Sequence, residues 1–546
     1  MTPTTSSRAP HPIPSQATGF HGDFLRGVPQ ALAFLPRHLS DDSDWESRVD
    51  LARRTPAPRG VWERAARDAE RLGADVSTLD NVERLAGGSV LCVTTGQQPG
   101  LFLGPLYTVY KAMTALALAR RVEQRTGVTT VPVFWSAADD SDFGEVGTAF
   151  LPDDDCALTR HALEGLDLAA GGMIGDLDKS GTASALNDVR AGLERRVSGA
   201  RLLAHLDRAL DLAADHGEVA TALLYDLFRG TGLVIVDGRW PELRTAAAGL
   251  FRRYAEERER VATLVRTAGR GLEAAGYRPR ISDASTNSAL FDSSTGRRVS
   301  FEGSPADLID RIERDPTSLS PNVVLRPLVQ DSLFPNVATV GGPGEISYHA
   351  QLAPVYGALG VDMPILFPRF EATLVPDGVY ELAQRREEPL EAFVEDFDRT
   401  MKRSASRVLP AELREAIDGF ERSVAEHAAS LGDRAAAFDA DLVGPVDQAV
   451  RRATDAIEKL REKAAAAARA HETKRDPAIK AYREFLRPRG VPQERVLSAL
   501  TLFLESEAHP LDCLEEPLVQ HLEAARAGAP VHWLLDFRGC ASGGRA

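Results

Sequence analysis

From Leu91 to Glu145 the apolar and polar positions fall into blocks that predict strand, glycine turn, helix, strand and acidic loop. SVLCVTTGQQPG is an apolar run that ends in a turn. GPLYTVYKAMTALALARRVEQRTG then sets Leu106, Val109, Tyr110, Met113, Leu116 and Leu118 on or near one face at helical spacing and stops at a glycine. VTTVPVFWSAADDSDFGEV is a second apolar run that opens into acidic residues. That order is a βαβ half-unit. It predicts a parallel sheet whose ligands sit outside the carboxyl ends of its strands.

The rest of the chain extends this frame. Residues 1–20 are rich in Pro, Ser and Thr and predict a flexible arm, and helices come next over 21–90. Residues 151–230 read as mostly helical, and Leu233 to Val236 as a short buried strand. A long amphipathic helix comes after it, then a hairpin turning at Ser293-Ser294-Thr295-Gly296. Residues 321–375 read as strand, strand, glycine loop, helix and strand, with Arg326, Gln330 and Asp331 on the strand before the loop. From about Tyr380 the steps between apolar residues become 4, 3, 4, 3, as in Val446, Val450, Ala453, Ile457 and Leu460, which predicts a coiled coil. Gly444-Pro445 marks a break or a turn in it, and arms of about 50 residues would reach roughly 75 Å. The C-terminal stretch from VPQERVLSAL onward is again helical, with APVHWLLDF as a closing strand. The expected division is a flexible arm (1–20), an α/β core (21–380) with helical insertions near 151–230 and 240–320, a coiled-coil arm (381–489), and a C-terminal segment (490–546) packing back on the core.

At 546 residues the chain exceeds what one hydrophobic core usually organises, so two or more units are expected. A net charge of −15 makes nucleic acid a poor partner, because no counterion release drives its binding. None of the four cysteines (Cys92, Cys156, Cys513, Cys540) makes a C-x-x-C pair, so no zinc site is predicted, and the metal requirement stays open. Cys92 reads as a small buried hydrophobe and Cys540 as exposed. No apolar run is long enough for a membrane span and the N-terminus lacks a signal-peptide core, so a cytoplasmic protein is expected.

Three clusters carry candidate chemistry. In Thr94-Thr95-Gly96-Gln97-Gln98-Pro99-Gly100, the glycines admit close backbone approach and the amides suit a sugar or carboxylate; the plain alternative is a tight βα turn. Asp139, Asp140 and Asp142 come after Trp135 at a strand exit, with Glu145 nearby, and would bind an amine, hold a metal or act as a base. The alternative is a solvated acidic loop. Gly341-Gly342-Pro343-Gly344-Glu345-Ile346-Ser347-Tyr348 is a second glycine turn opening a helix, with His349 one residue on. A lone helix histidine is more often structural than catalytic. Arg326 suits a carboxylate or phosphate clamp or a structural ion pair, and Lys111 would reach a ligand or coat the surface.

TGQQPGLFLGPLYTVYKAMTA, PVFWSAADDSDFGEV, LRPLVQDSLFPNVATVGGPGEISYHAQLAPVYGALGVDMPILFPR and PQERVLSAL together resemble the BshC family of bacillithiol biosynthesis, the cysteine-adding enzymes, in order over most of residues 20–546. The resemblance implies a Rossmann-like parallel-sheet core related to class I nucleotidyl-transferase folds, with helical insertions and an antiparallel coiled-coil arm that makes a homodimer. It implies a ligase that joins the cysteine carboxyl to the amine of glucosaminyl-malate. ATP or another nucleotide is the expected activator, because amide formation from a free carboxylate is uphill in water. The roles expected of these residues are a cradle for the sugar-malate or phosphate from Gly96, Gln97 and the helix from Gly104, and an amine site at Asp140 and Asp142. Gly341, Gly342, Gly344 and Glu345 would shape the far wall and Arg326 would pair with a carboxylate, with Thr95, Gln98, Tyr107, Lys111, Trp135, Asp139, Gln330 and Tyr348 as further substrate-binding candidates. The family's acidic loop usually reads E-D-H-D. Here Ser141 replaces the histidine; if that histidine is the family's general base, its role passes to Asp140, Asp142 or His349, or the activity has drifted. Other readings are a different ATP-dependent ligase or nucleotidyl transferase on the same core, or a coiled-coil scaffold. The gathering of polar residues at strand ends favours an enzyme.

Overall fold

The structure is a computed structural model that describes residues 8–163, 172–506 and 509–538; the Glu145 side chain and Cys540 lie outside the described residues. Its centre is a five-stranded parallel sheet of β1 (Leu91–Gln97), β2 (Thr130–Ser136), β3 (Val234–Asp237), β4 (Asn336–Gly341) and β5 (Ile365–Pro368), in the order β5-β4-β1-β2-β3. Leu91, Val93, Val131, Val133, Val234, Val236 and Ile365 are buried, as expected of strands covered on both faces. Cys92 is buried among them as a free thiol. Register aligns the strand exits, with Gln97 opposite Ser136, Ser136 opposite Asp237, and Gly341 opposite Pro368.

The chain runs outward from β1 through β2 to β3, then returns to the other side for β4 and β5. Strand order therefore reverses between β1 and β4, which is where open parallel sheets form their ligand crevice. Helix α1 (Tyr107–Thr126) links β1 to β2 and ends on the left-handed Gly127. Helix α2 (Arg326–Leu333) precedes β4, and α3 (Pro343–Ala358) comes after it. Arg326, Gln330 and Asp331 thus lie on a helix, not on a strand. Pro327 at the start of that helix is compatible with its first turn, and Leu328, Val329 and Leu333 are buried in the hydrophobic core.

Two further expectations need correction. The N-terminal arm is not flexible throughout, because His11–Pro14 pairs antiparallel with Val531–Asp536, the predicted closing strand. The segment read as helical from 151 begins with strands Thr148–Pro152 and Leu158–Ala162; its helices are Ser180–Glu194, Gly199–Leu212 and His216–Leu227. The predicted hairpin is present as Leu290–Asp292 against Val299–Ser300.

The chain divides into two compact units. One runs to Leu151, from Thr159 to Thr373 and from Gln493 onward; the other holds Pro152–Leu158 and Leu374–Pro492. The second unit contains a helical hairpin of α4 (Ala411–Phe438) and α5 (Val443–Arg475). Ile417 and Ile457 are buried, and Arg461 pairs across it with Asp418 at 2.7 Å. The turn lies at 439–442, and Gly444-Pro445 sits in the first turn of α5, where proline is tolerated. The helices have 28 and 33 residues, so they reach roughly 42 and 50 Å rather than 75 Å.

Candidate active site

A cleft of about 850 Å³ opens at the strand reversal in the first unit. Both glycine turns line it: Thr95, Gly96, Gln97 and Gln98 after β1, Gly342 and Gly344 after β4. Gly96 is required by packing, since a Cβ there would lie 2.6 Å from the Trp135 carbonyl oxygen on β2. The Thr95 hydroxyl donates to the Val340 carbonyl at 2.9 Å, tying β1 to β4 beneath the cleft. Gly104 does not line it. Its φ of +68° makes a tight turn, and its carbonyl accepts from the Ala499 N–H at 2.8 Å. Ser498 also donates to the Phe102 carbonyl at 3.0 Å, so the PQERVLSAL block braces the first glycine loop from outside. Gly341 ends β4 behind the wall, where its carbonyl accepts from the Arg369 N–H.

Lys111 joins the two turns. Its buried ammonium donates to the Gly96 carbonyl and to Gln97 Oε1, both at 2.9 Å, and pairs with Glu345 Oε2 at 2.6 Å. Glu345 in turn accepts from the Gly342 N–H at 2.8 Å. The Tyr107 ring lies between two cations, 5.6 Å from Lys111 Nζ and 5.7 Å from Arg369 Cζ. Lys111 therefore neither coats the surface nor reaches freely for a ligand.

The acidic loop is bound to arginines. Asp140 accepts from Arg326 at 3.1 Å, from Arg298 at 3.4 Å and from the Ser141 N–H at 2.7 Å. Burial alone would raise its pKa, but Arg326 and Arg298 hold it below the usual carboxylate range. Asp139 is buried behind the cleft, accepting from Ser320 at 2.8 Å with Arg326 3.7 Å away. Burial opposes its ionisation too, and Arg326, Arg298 and Arg244 prevail, so it stays a carboxylate. Asp142 lines the cleft and accepts from the Gly144 N–H at 3.1 Å, capping a one-turn helix. Asp140 lines the cleft with its charge already shared by two guanidinium groups, Arg326 and Arg298.

His349 is the histidine of the cleft lining. It is buried on α3 and lines the cleft. Its Nδ1 lies 2.8 Å from the Glu345 carbonyl, an acceptor only, so Nδ1 carries the hydrogen and Nε2 the lone pair. Nε2 has no hydrogen-bond partner among the described residues. Burial lowers its pKa, against the bond to the Glu345 carbonyl, and keeps the ring neutral. Tyr348 stacks on it at 4.7 Å between ring centroids, and its own hydroxyl is pushed up by burial. Trp135, Gln330 and Tyr348 complete the predicted lining. Gln330 spends its amide hydrogens inward on Thr94 and Asp331, which leaves its oxygen as the contact group.

The sequence reading missed Arg280, Arg298, Arg369 and Arg495, all in the lining. Arg369 comes directly after β5, so the strand-exit rule would have found it. Arg495 lies in the PQERVLSAL block, which carries no chemical signature of its own, and Arg280 and Arg298 lie in segments with no motif. Together with Lys111 and Arg326 they place six cations against Asp140, Asp142 and Glu345, a basic cleft in an acidic protein.

An α/β enzyme with a Rossmann-like core and an anion-seeking cleft at its strand reversal is the class these features define. Residues 11–370 match the family described as Bacillithiol biosynthesis BshC, N-terminal Rossmann-like domain, and residues 372–521 match the C-terminal coiled-coil domain of the same family. The chain belongs to the BshC family of bacillithiol biosynthesis, as a ligase-class enzyme. Its relatives include a "Putative cysteine ligase BshC" of Koribacter versatilis, 34% identical over 73% of this chain and 76% of the relative. Proteins of the same name from Salinibacter ruber (29% identical over 94% of this chain and 98% of the relative) and Symbiobacterium thermophilum (30% over 84% and 88%) are also similar. No described helix is long and apolar enough to cross a membrane.

Proposed function

We propose that the cleft joins L-cysteine to the glucosamine amine of glucosaminyl-malate, giving bacillithiol, in the cytoplasm. The observation that carries this reading is the pairing of an unpartnered histidine acceptor with a cation-rich lining in one cleft. The acceptor carries the carboxylates of malate, which a basic lining favours. In the bond-forming step the amine nitrogen attacks the activated cysteine carbonyl carbon. The C–N bond forms, the leaving group departs with its electron pair, and the amine proton passes to His349 Nε2. A neutral His349 would meet that need, which its place in the lining and the Nδ1 bond to the Glu345 carbonyl support.

The same reading puts the phosphates of ATP in this cleft. The first turn of α3 faces it through Gly344, and the cations favour negative charge there. A nucleoside triphosphate supplies the activation of the carboxylate that amide formation requires. The chain's own part is to hold the anionic groups at the arginines and the amine within reach of His349. We further propose that a second copy covers the hairpin, because Phe420, Leu431, Phe438 and Leu460 are exposed on it. Incubating the purified protein with cysteine, glucosaminyl-malate and ATP, with mass spectrometry for bacillithiol, tests the reaction. Product that needs all three supports it; no product from the folded protein removes it. Light scattering tests the pairing, which requires twice the monomer mass and its loss in a Phe420→Ser/Leu460→Ser variant.

A further inference from the structure

Four of the six cations facing the cleft are already engaged. Lys111 holds Gly96, Gln97 and Glu345. Arg298 donates to Asp140 and to the Pro321 carbonyl and lies 4.4 Å over the Phe291 ring. Arg326 is paired with Asp140, and Arg369 with Glu494 and the Phe370 carbonyl. An incoming anion must share or break these bonds.

Arg280 and Arg495 differ. Both line the cleft, both are exposed, and neither guanidinium has a hydrogen bond or ion pair among the described residues. Their backbones are nevertheless fixed. The Arg280 N–H donates to Gln351 Oε1 at 2.6 Å, and the Ile281 N–H donates to the same oxygen at 2.8 Å. Arg495 ends a short turn, Gln493–Arg495, directly after Glu494, whose carboxylate is locked on Arg369. Each arginine thus combines an anchored backbone with an uncommitted planar fork, the arrangement that favours two-point binding of a carboxylate or phosphate.

We propose that Arg280 and Arg495 are the specificity-determining pair of this cleft, gripping the anionic group of a substrate at its mouth. The anion is either the carboxylates of the acceptor or the phosphates of the activating nucleotide. Its identity rests on the ligase reading; the existence of the anion grip does not.

The test uses the full-length protein and two probes, L-malate and ATP, with binding measured by calorimetry at fixed ionic strength. The variants are Arg280→Gln, Arg495→Gln, the double variant and the corresponding lysine substitutions. Each glutamine variant should weaken one probe by about tenfold or more while melting like the wild type, since both side chains are exposed. Lysine should recover part of the loss, having the charge without the fork. Loss confined to malate assigns the pair to the acceptor, and loss confined to ATP assigns it to the nucleotide. A double variant that binds both probes like the wild type overturns the proposal, as does a wild-type protein that binds neither. Intact anion binding by a protein that makes no bacillithiol would remove the ligase reading and leave the pair.

Discussion

Replacing Lys111 by methionine tests whether the two glycine turns act as one site. The substitution keeps the length of the buried stem and deletes the ammonium that joins loops more than 200 residues apart. Three acceptors lose the Lys111 ammonium: the Gly96 and Gln97 oxygens at 2.9 Å, and Glu345 Oε2 at 2.6 Å, which keeps the Gly342 N–H. Each stranded acceptor costs roughly 1–3 kcal/mol when buried. The loop oxygens face the cleft and the Glu345 side chain is 32% exposed, so water rescues part of each loss and about 1 kcal/mol apiece is the working figure. Lys111→Met should therefore destabilise by roughly 2–3 kcal/mol, read as a lower urea midpoint at constant slope. Glu345→Gln keeps the acceptor and loses the charge, costing about 1 kcal/mol, and the double variant should cost about 1 kcal/mol less than the sum. Turnover should fall further than stability does, by about 100-fold, because loops displaced by an ångström misplace the reacting groups. A Lys111→Met protein with wild-type midpoint and wild-type kcat/KM would refute the strap.

His349→Gln should lower kcat by roughly 10²–10⁴ while leaving substrate dissociation constants within about threefold, and turnover within tenfold of the wild type would exclude the base role. Because burial depresses the His349 pKa, the acid limb of the wild-type kcat/KM profile should fall below pH 6.5, and a limb above that value contradicts the assignment. Gly96→Ala drives a methyl group against the Trp135 carbonyl and should cost roughly 1–3 kcal/mol, with activity lost in parallel; unchanged melting would show that β1 and β2 separate freely there. Buried His21, His216 and His521 have pKa values lowered from 6.5 to about 3, about 4 and about 4. Unfolded chains bind those protons more readily, so stability is held above pH 6.5 and declines as pH falls toward 4, by up to roughly 3 kcal/mol per histidine. Urea midpoints that stay flat from pH 7 to 4.5 would contradict this.

The sheet was legible because a parallel strand buried on both faces leaves a short apolar run without alternation, as in residues 91–93 of β1 and 131–135 of β2. The two glycine turns were legible for a related reason, since close approach to a neighbouring strand excludes a side chain at Gly96. Helix α2 was misread as strand because Val323, Val324, Leu325, Leu328 and Val329 form a short apolar run that periodicity alone does not resolve. The N-terminal strand was hidden by composition: His11–Pro14 carries two prolines, and its partner lies some 520 residues away. In the site, the sequence showed acidic residues but not their neutralisation. Asp140 meets Arg298 and Arg326 only through tertiary packing, so its charge is spent in a way no local pattern reveals. The hydrogen bond from His349 to the Glu345 carbonyl is an ordinary i, i+4 contact; the lack of a partner at Nε2, which gives that contact its significance, is a property of the cleft.

A crystal structure of the protein with glucosaminyl-malate bound is the most direct test of the central claim, that the paired glycine turns, the arginines and His349 form one catalytic cleft. The sugar-malate is expected between Gly96 and Gly342, its carboxylates on the lining arginines and its amine within hydrogen-bond reach of His349 Nε2. Density for the ligand at any other place, or in the cleft with the amine turned away from His349, would contradict it.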